Sequence, residues 1–157
     1  MTMEDAVQQN YDDVLRYFVC RVHDRPAAED LTQETFFRFI RYSADTTKFR
    51  TAQKCRAYLF TIASNVCRDY YAGRTDTDEL DETVPAEEPD RDLSAVIEKA
   101  LAGLPDSQRE ATVLYYYSGF RVREIAAIQG VTVSAVKSRL KMARDTLKKI
   151  LGEEGFS

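Results

Sequence analysis

The 157-residue sequence has no tryptophan, one histidine, three cysteines, six glycines and four prolines. So little glycine and proline, beside 44% apolar and 31% charged residues, excludes collagen-like and low-complexity chains and predicts a folded one. A single histidine, His23, removes most acid–base chemistry, and its place beside Asp24 and Pro26 reads as a helix-end surface residue. Cys20, Cys55 and Cys67 are too widely spaced for a C-x-x-C pair or a zinc ligand set, so they read as buried or half-buried thiols. No metal site and no cofactor is expected. There is also no nucleophile–base set and no glycine-rich phosphate loop, which argues against an enzyme. No apolar run approaches a membrane span, and residues 1–10 carry Glu4 and Asp5 where a signal peptide would carry Lys or Arg. The expectation is a cytoplasmic protein with no direct membrane insertion.

Charge of one sign is scarce only when the chain is divided. The formal net charge is −4, which taken alone argues mildly against a nucleic-acid binder. Residues 1–75 sum to +1, residues 76–92 to −8 and residues 93–157 to +3. The acidity therefore belongs to one short segment. Six basic residues between Lys48 and Arg74 face only Asp69, and six between Lys137 and Lys149 face only Asp145. Two basic tracts on separate helices are an electrostatic footprint for phosphates.

Helical periodicity accounts for nearly everything else. Val7, Tyr11, Val14, Leu15, Phe18, Val19 and Val22 mark a first helix, and Pro26 reads as a stop and a fresh start. A second helix is predicted from about Ala27 to Tyr42. The stripe Cys55, Leu59, Ile62, Ala63, Val66 and Tyr70 marks a third from about Ala52 to Ala72, closed by Gly73 as a C-terminal cap. From Thr75 to Asp92 periodicity gives way to carboxylates and two prolines, the composition of a linker. Leu93, Val96, Ile97, Ala100, Leu101 and Leu104 then form a new stripe, Pro105 opens a helix to Ser118-Gly119, and two more flank Gly130. The expected fold is all-α: a three-helix bundle over 4–74, a flexible acidic linker over 75–92 and a helix-turn-helix domain over 93–151.

Three segments carry chemistry. In the last, Ile125 and Ala126 sit on a short helix, Gly130 permits the turn, Val131 and Val133 plug the corner, and Val136 and Leu140 pack the second helix back. Thr132 suits its N-cap. Ser134, Lys137, Ser138, Arg139 and Lys141 project from the remaining faces, as residue types that bond phosphates and guanine edges; the competing reading is a plain helical hairpin with a solvated basic face. In the second predicted helix, Leu31, Thr35, Phe36 and Phe39 share one side, while Asp30, Gln33, Glu34, Phe37 and Arg41 share the other. Phe37 is thus a large aromatic on an acidic face, which suits a docking surface, although a single exposed hydrophobe is ordinary. The third helix sets Tyr58, Thr61, Asn65 and Arg68 opposite its apolar stripe, with Phe60 and Tyr71 at the margin; rings among amides and cations suit unpaired bases, while rings at helical spacing also suit a core.

In this order, Asp30-Leu-Thr-Gln-Glu-Thr-Phe36, Tyr58-Leu-Phe-Thr-Ile-Ala-Ser-Asn-Val-Cys-Arg-Asp-Tyr70, Leu104-Pro, Arg123-Glu-Ile-Ala-Ala and Val136-Lys-Ser-Arg-Leu-Lys-Met-Ala-Arg144 resemble a bacterial sigma factor of the extracytoplasmic-function (ECF) group. The resemblance spans about Val7 to Ile150 apart from the linker. It implies a dissociable promoter-recognition subunit of RNA polymerase, with core polymerase (beta-prime clamp and beta subunit), promoter DNA and an anti-sigma factor as partners. Residue by residue, it implies that Asp30, Gln33, Glu34 and Phe37 dock on the clamp. Phe49, Ile62 and Asn65 would shape a pocket for a flipped base of the minus-ten element, with Arg68 and Arg74 beside the strand's phosphates. Ser134 is read with Lys137, Ser138, Arg139 and Lys141, which match the helix that enters the minus-thirty-five element. Met142 stands where many relatives carry a basic residue, so no promoter sequence follows. A stand-alone repressor or activator is the alternative; it would use Phe37 as a dimer contact and would not direct transcription with core polymerase.

Overall fold

The computed structural model describes residues 2–42, 51–73 and 93–153, and every regular element among them is helical. The chain divides into two compact units, within residues 1–85 and 86–157. The acidic segment expected as a linker lies outside the described residues, as do Phe49 and Arg74.

The first unit holds α1 (Met3–Val22), α2 (Arg25–Tyr42) and α3 (Ala52–Gly73), each packed on the other two. α1 starts at a capping box: the Asp5 N–H donates to the Thr2 hydroxyl at 3.0 Å and the Thr2 N–H donates to the Asp5 carboxylate at 3.1 Å. It ends at His23, which takes left-handed backbone (φ 54°) and is half-buried rather than a surface residue. Asp24 then accepts from the Ala27 N–H at 3.3 Å, which caps α2 and leaves Pro26 in the first turn, where its missing N–H costs nothing. Gly73 ends α3 without left-handed backbone, so it is not the cap its type suggests.

Ala6, Val14, Tyr17, Phe18, Phe39, Leu59, Phe60 and Ala63 are wholly buried between the three helices. Phe60, expected at the margin of α3, is at the centre: its ring meets Tyr17 edge-on at 5.5 Å, and the Arg56 guanidinium covers it at 4.9 Å. The reason is geometric, because α3 packs on both α1 and α2 and must bury a wider arc than one stripe. The buried Tyr17 hydroxyl accepts from Arg21 at 2.7 Å, and the Tyr71 hydroxyl donates to the Arg21 carbonyl at 2.7 Å, tying the ends of α1 and α3 together. All three cysteines are buried, and burial pushes the Cys55 thiol above its ordinary pKa, which favours its protonated form.

The second unit comprises α4 (Leu93–Ala102), α5 (Asp106–Thr112), α6 (Val122–Gln129) and α7 (Val133–Glu153), with α7 packed on the other three. Arg109 closes α4 by donating to the carbonyls of Leu101 (2.9 Å) and Leu104 (2.6 Å). The helix expected to run unbroken from Pro105 instead widens into a π-helical turn at Val113–Tyr117, where the Ser118 N–H reaches back to the Val113 carbonyl. Tyr115 and Tyr116 are exposed there, packed edge to face at 4.8 Å.

Candidate nucleic-acid interface

The α6–α7 corner is built as a helix-turn-helix. Gly130, with φ 70°, follows α6; the Val131 N–H donates to the Ala126 carbonyl at 3.0 Å and the Gly130 N–H to Ala127 at 3.3 Å, a Schellman closure that a side-chain-bearing residue would strain. Thr132 caps α7 by accepting from the Ala135 N–H at 3.1 Å. Ile125, Ala126, Val136 and Leu140 are buried between the helices. Val133, expected to plug the corner, is exposed on the first turn of α7, and the exposed Met142 lies farther along. Ser134, Lys137, Ser138 and Lys141 are all exposed, with Lys141 in a surface pair with Asp145 at 3.3 Å. Arg139 is different: it is half-buried, and its Nη1 donates to the Gln129 side-chain carbonyl at 2.9 Å. Sequence reading groups it with its neighbours because alternate residues on a short basic stretch carry no signal for which one turns inward.

On α2, Leu31, Thr35, Phe36 and Phe39 are buried and Asp30, Gln33, Glu34 and Phe37 exposed, as the helical wheel predicts. Phe37 keeps 59% of its surface accessible, next to exposed Ile40 and Tyr42, and Arg41 lies over both the Phe37 ring (5.4 Å) and the Tyr42 ring (5.8 Å). One cation thus lies near two exposed rings, where the sequence points to a single one. Glu34 is held by Arg38, whose Nε donates to it at 2.7 Å while Nη1 donates to Asp69 of α3 at 3.2 Å. The bond to Glu34, more than that to Asp69, holds the Arg38 guanidinium above its ordinary pKa despite partial burial. Arg38 therefore links the α2 face to α3 next to Arg68.

On α3, Asn65 and Arg68 are exposed and bonded to each other, Arg68 Nη2 donating to the Asn65 carbonyl at 2.7 Å. Ile62 is buried to 8% exposure and offers an edge rather than a face. Tyr58 and Thr61 are half-buried on the same side, and the Tyr58 ring is 6.3 Å from Phe39. Asn65, Arg68 and the Ile62 edge are thus brought together. Among the described residues no group of His, Cys, Asp and Glu could hold a metal ion, and no helix is long and apolar enough to cross a membrane.

Comparison with known proteins names both units. Residues 6–77 match the family model for sigma-70 region 2 and residues 94–147 that for sigma-70, region 4. A chain built of these two regions is a sigma-70-type, DNA-binding transcription initiation factor. It is 35% identical over 135 residues to the ECF RNA polymerase sigma factor EcfG of Rhodopseudomonas palustris, covering 82% of this chain and 73% of that one. It is 31% identical over 159 residues to the ECF sigma factor SigM of Bacillus subtilis, covering 94% of each. A solved structure of the sigma factor RpoE from Bartonella quintana, in complex with the anti-sigma factor NepR, matches with a TM-score of 0.74 at 28% identity, over 95% of this chain and 96% of that one. The chain belongs to the ECF RNA polymerase sigma factors.

Proposed function

We propose that this chain binds core RNA polymerase, recognises and melts promoter DNA, and so directs transcription initiation of a specific regulon, acting by binding and not by catalysis. The observation that carries the reading is the separation of packing from display: on α2, α3 and α7 a buried stripe takes up the packing, and most of the residues expected to meet a partner lie on the other side. The first unit, over 4–74, supplies docking and minus-ten recognition; the second, over 93–151, supplies minus-thirty-five recognition; residues 75–92 join them.

Asp30, Gln33, Glu34 and Phe37 dock on the beta-prime clamp, with Ile40, Arg41 and Tyr42 widening that surface. An exposed ring rimmed by charged groups suits an interface whose centre is apolar and whose rim is polar. Asn65 receives a base taken out of the stack, at a cost of a few kcal/mol to the duplex. Its bond to Arg68 must then be exchanged for bonds to the base, which frees the Arg68 guanidinium for the strand's phosphate. The resemblance assigns Phe49 and Ile62 to the same base and Arg74, with Arg68, to the strand's phosphates. Ser134, Lys137, Ser138 and Lys141 enter the major groove, with Arg139 beside them. Val133, exposed on the first turn of α7, suits contact with a thymine methyl.

The second unit also holds an apolar groove of about 410 Å³ between α4, the π-helical turn and α7, lined by Ile97, Tyr116, Leu147 and Leu151 among others. Its apolar lining suits the contact with the polymerase beta subunit. Likeness to a sigma factor solved with its anti-sigma factor supports an anti-sigma partner here as well. Two weak DNA contacts and one docking contact on a single chain gain by effective concentration, so neither unit alone need bind promoter DNA tightly.

Selection of random-sequence duplexes by core polymerase, with and without this chain, tests the reading. Enrichment of a two-part element only when the chain is bound to core supports it. Enrichment of one symmetric site by the chain alone would favour the repressor reading.

A further inference from the structure

Glu110 of α5 and Arg139 of α7 are opposite charges held by one neutral residue between them. Gln129 is the last residue of α6, 8% exposed and fixed in place by the Gly130 turn that follows it. Its amide uses both ends: Nε2 donates to Glu110 Oε1 at 2.9 Å and to the Ser107 carbonyl at 3.3 Å, while Oε1 accepts from Arg139 Nη1 at 2.9 Å. Glu110, 6% exposed, needs a donor and half-buried Arg139 needs an acceptor; of the side chains of this length, only an amide supplies both. Both terminal bonds are to ionised groups, which makes them stronger than neutral ones. Leucine at 129 would remove the amide donor to Glu110 and the acceptor for Arg139, and glutamate would set a second carboxylate against Glu110.

Arg139 lies two residues from Lys137 and Lys141 and next to Ser138, the exposed residues proposed to read the duplex. A guanidinium tied inward at this point adds a directional bond to the packing of Val136 and Leu140 that orients α7, and so bears on the direction of those side chains. We infer that Gln129 is a specificity-determining positioning residue: through Glu110 and Arg139 it sets the angle at which α7 presents Ser134, Lys137, Ser138 and Lys141 to the groove, and Arg139 acts in this relay instead of neutralising a phosphate. This rests on the reading of α7 as the duplex-reading helix.

The test uses holoenzyme assembled from core polymerase and the full chain, on a promoter fragment selected by the wild type and the same fragment with its upstream element scrambled. The readouts are the affinity ratio between the two fragments and its dependence on salt. Gln129→Glu is expected to lower the ratio on the order of tenfold, the scale of one lost base-pair preference. Glu110→Gln combined with Gln129→Glu exchanges amide and carboxylate and restores the 110–129 and 129–139 pairs, losing only the longer bond to the Ser107 carbonyl, so it is expected to bring most of the ratio back. A role in fold stability alone predicts thermal midpoints that move while the ratio of the folded protein stays fixed. Arg139→Ala is expected to lower the ratio with the salt slope unchanged, whereas Lys137→Ala reduces the slope by about one. An unchanged ratio in folded Gln129→Glu, no recovery in the double variant, or a slope reduced by about one in Arg139→Ala overturns the inference. Should Gln129→Glu not fold, the double variant and the Arg139→Ala slope decide it. If Lys137→Ala changes neither ratio nor slope, the duplex-reading assignment of α7 is what fails.

Discussion

Replacing Phe37 by alanine separates docking from folding. The ring keeps 59% of its surface accessible, with the Arg41 guanidinium 5.4 Å from its centre, so its removal leaves no enclosed cavity in the bundle. Folding stability should change by no more than about 0.5 kcal/mol, as for other surface substitutions. Burying a phenylalanine side chain fully is worth about 1.5–3 kcal/mol. With a little over half of that still to be gained on docking, the loss on substitution is about 0.9–1.8 kcal/mol, or roughly 5- to 20-fold in Kd for core polymerase. Fluorescence titration of labelled chain with core polymerase measures the Kd, and a thermal melt of the free chain provides the control. An unchanged Kd would remove Phe37 from the docking surface. A weakened Kd accompanied by a large fall in the thermal midpoint would show that the ring serves the fold.

Three further outcomes follow from the first unit. Asn65→Ala should impair opening of a duplex promoter yet act near wild type on a template already unpaired across the minus-ten element, measured by permanganate reactivity of unpaired thymines; equal defects on both templates would place Asn65 outside the melting step. Phe60→Ala should cost about 3–5 kcal/mol of the first unit's stability, because a wholly buried ring is lost from contact with Tyr17 and Arg56; a loss below 1 kcal/mol in urea unfolding would contradict its central place. Asp5, accepting from the Thr2 N–H and hydrogen-bonded to the Thr2 hydroxyl region of the capping box, has its carboxyl held below the ordinary 3.8. Its contribution is therefore present above pH 3.8 and lost as pH falls through the lowered folded value. The stability advantage of wild type over Asp5→Asn, read by circular dichroism, should be full at neutral pH and vanish in acid; an advantage independent of pH would count against the capping box.

The helices were legible because their buried stripes are regular: the α2 wheel divides buried from exposed residues without exception among those assigned to each side. Features that depend on a third element were not. Phe60 looked marginal on α3 alone and is central because α3 meets two partners. Val133 has the right type for a core and the wrong direction, since the cap at Thr132 starts α7 with Val133 facing outward. The π-helical turn at Val113–Tyr117 leaves no trace in residue type, because one extra residue in a helical ladder changes bonding without changing composition. Gln129 carries no signal in the sequence for a similar reason: a lone amide beside a glycine announces nothing until the fold sets Glu110 and Arg139 on either side of it. Arg38, linking Glu34 to Asp69 across helices, likewise needed the fold to be found.

Promoter-directed transcription in a purified system bears most directly on the role proposed for this ECF sigma factor. Core RNA polymerase, the full chain and the two-part element selected by their complex should yield a run-off transcript from a defined start. The transcript should require the chain and be lost when either half of the element is scrambled. Tight binding of the chain to that DNA without core polymerase, with no transcript when core is added, would contradict the account.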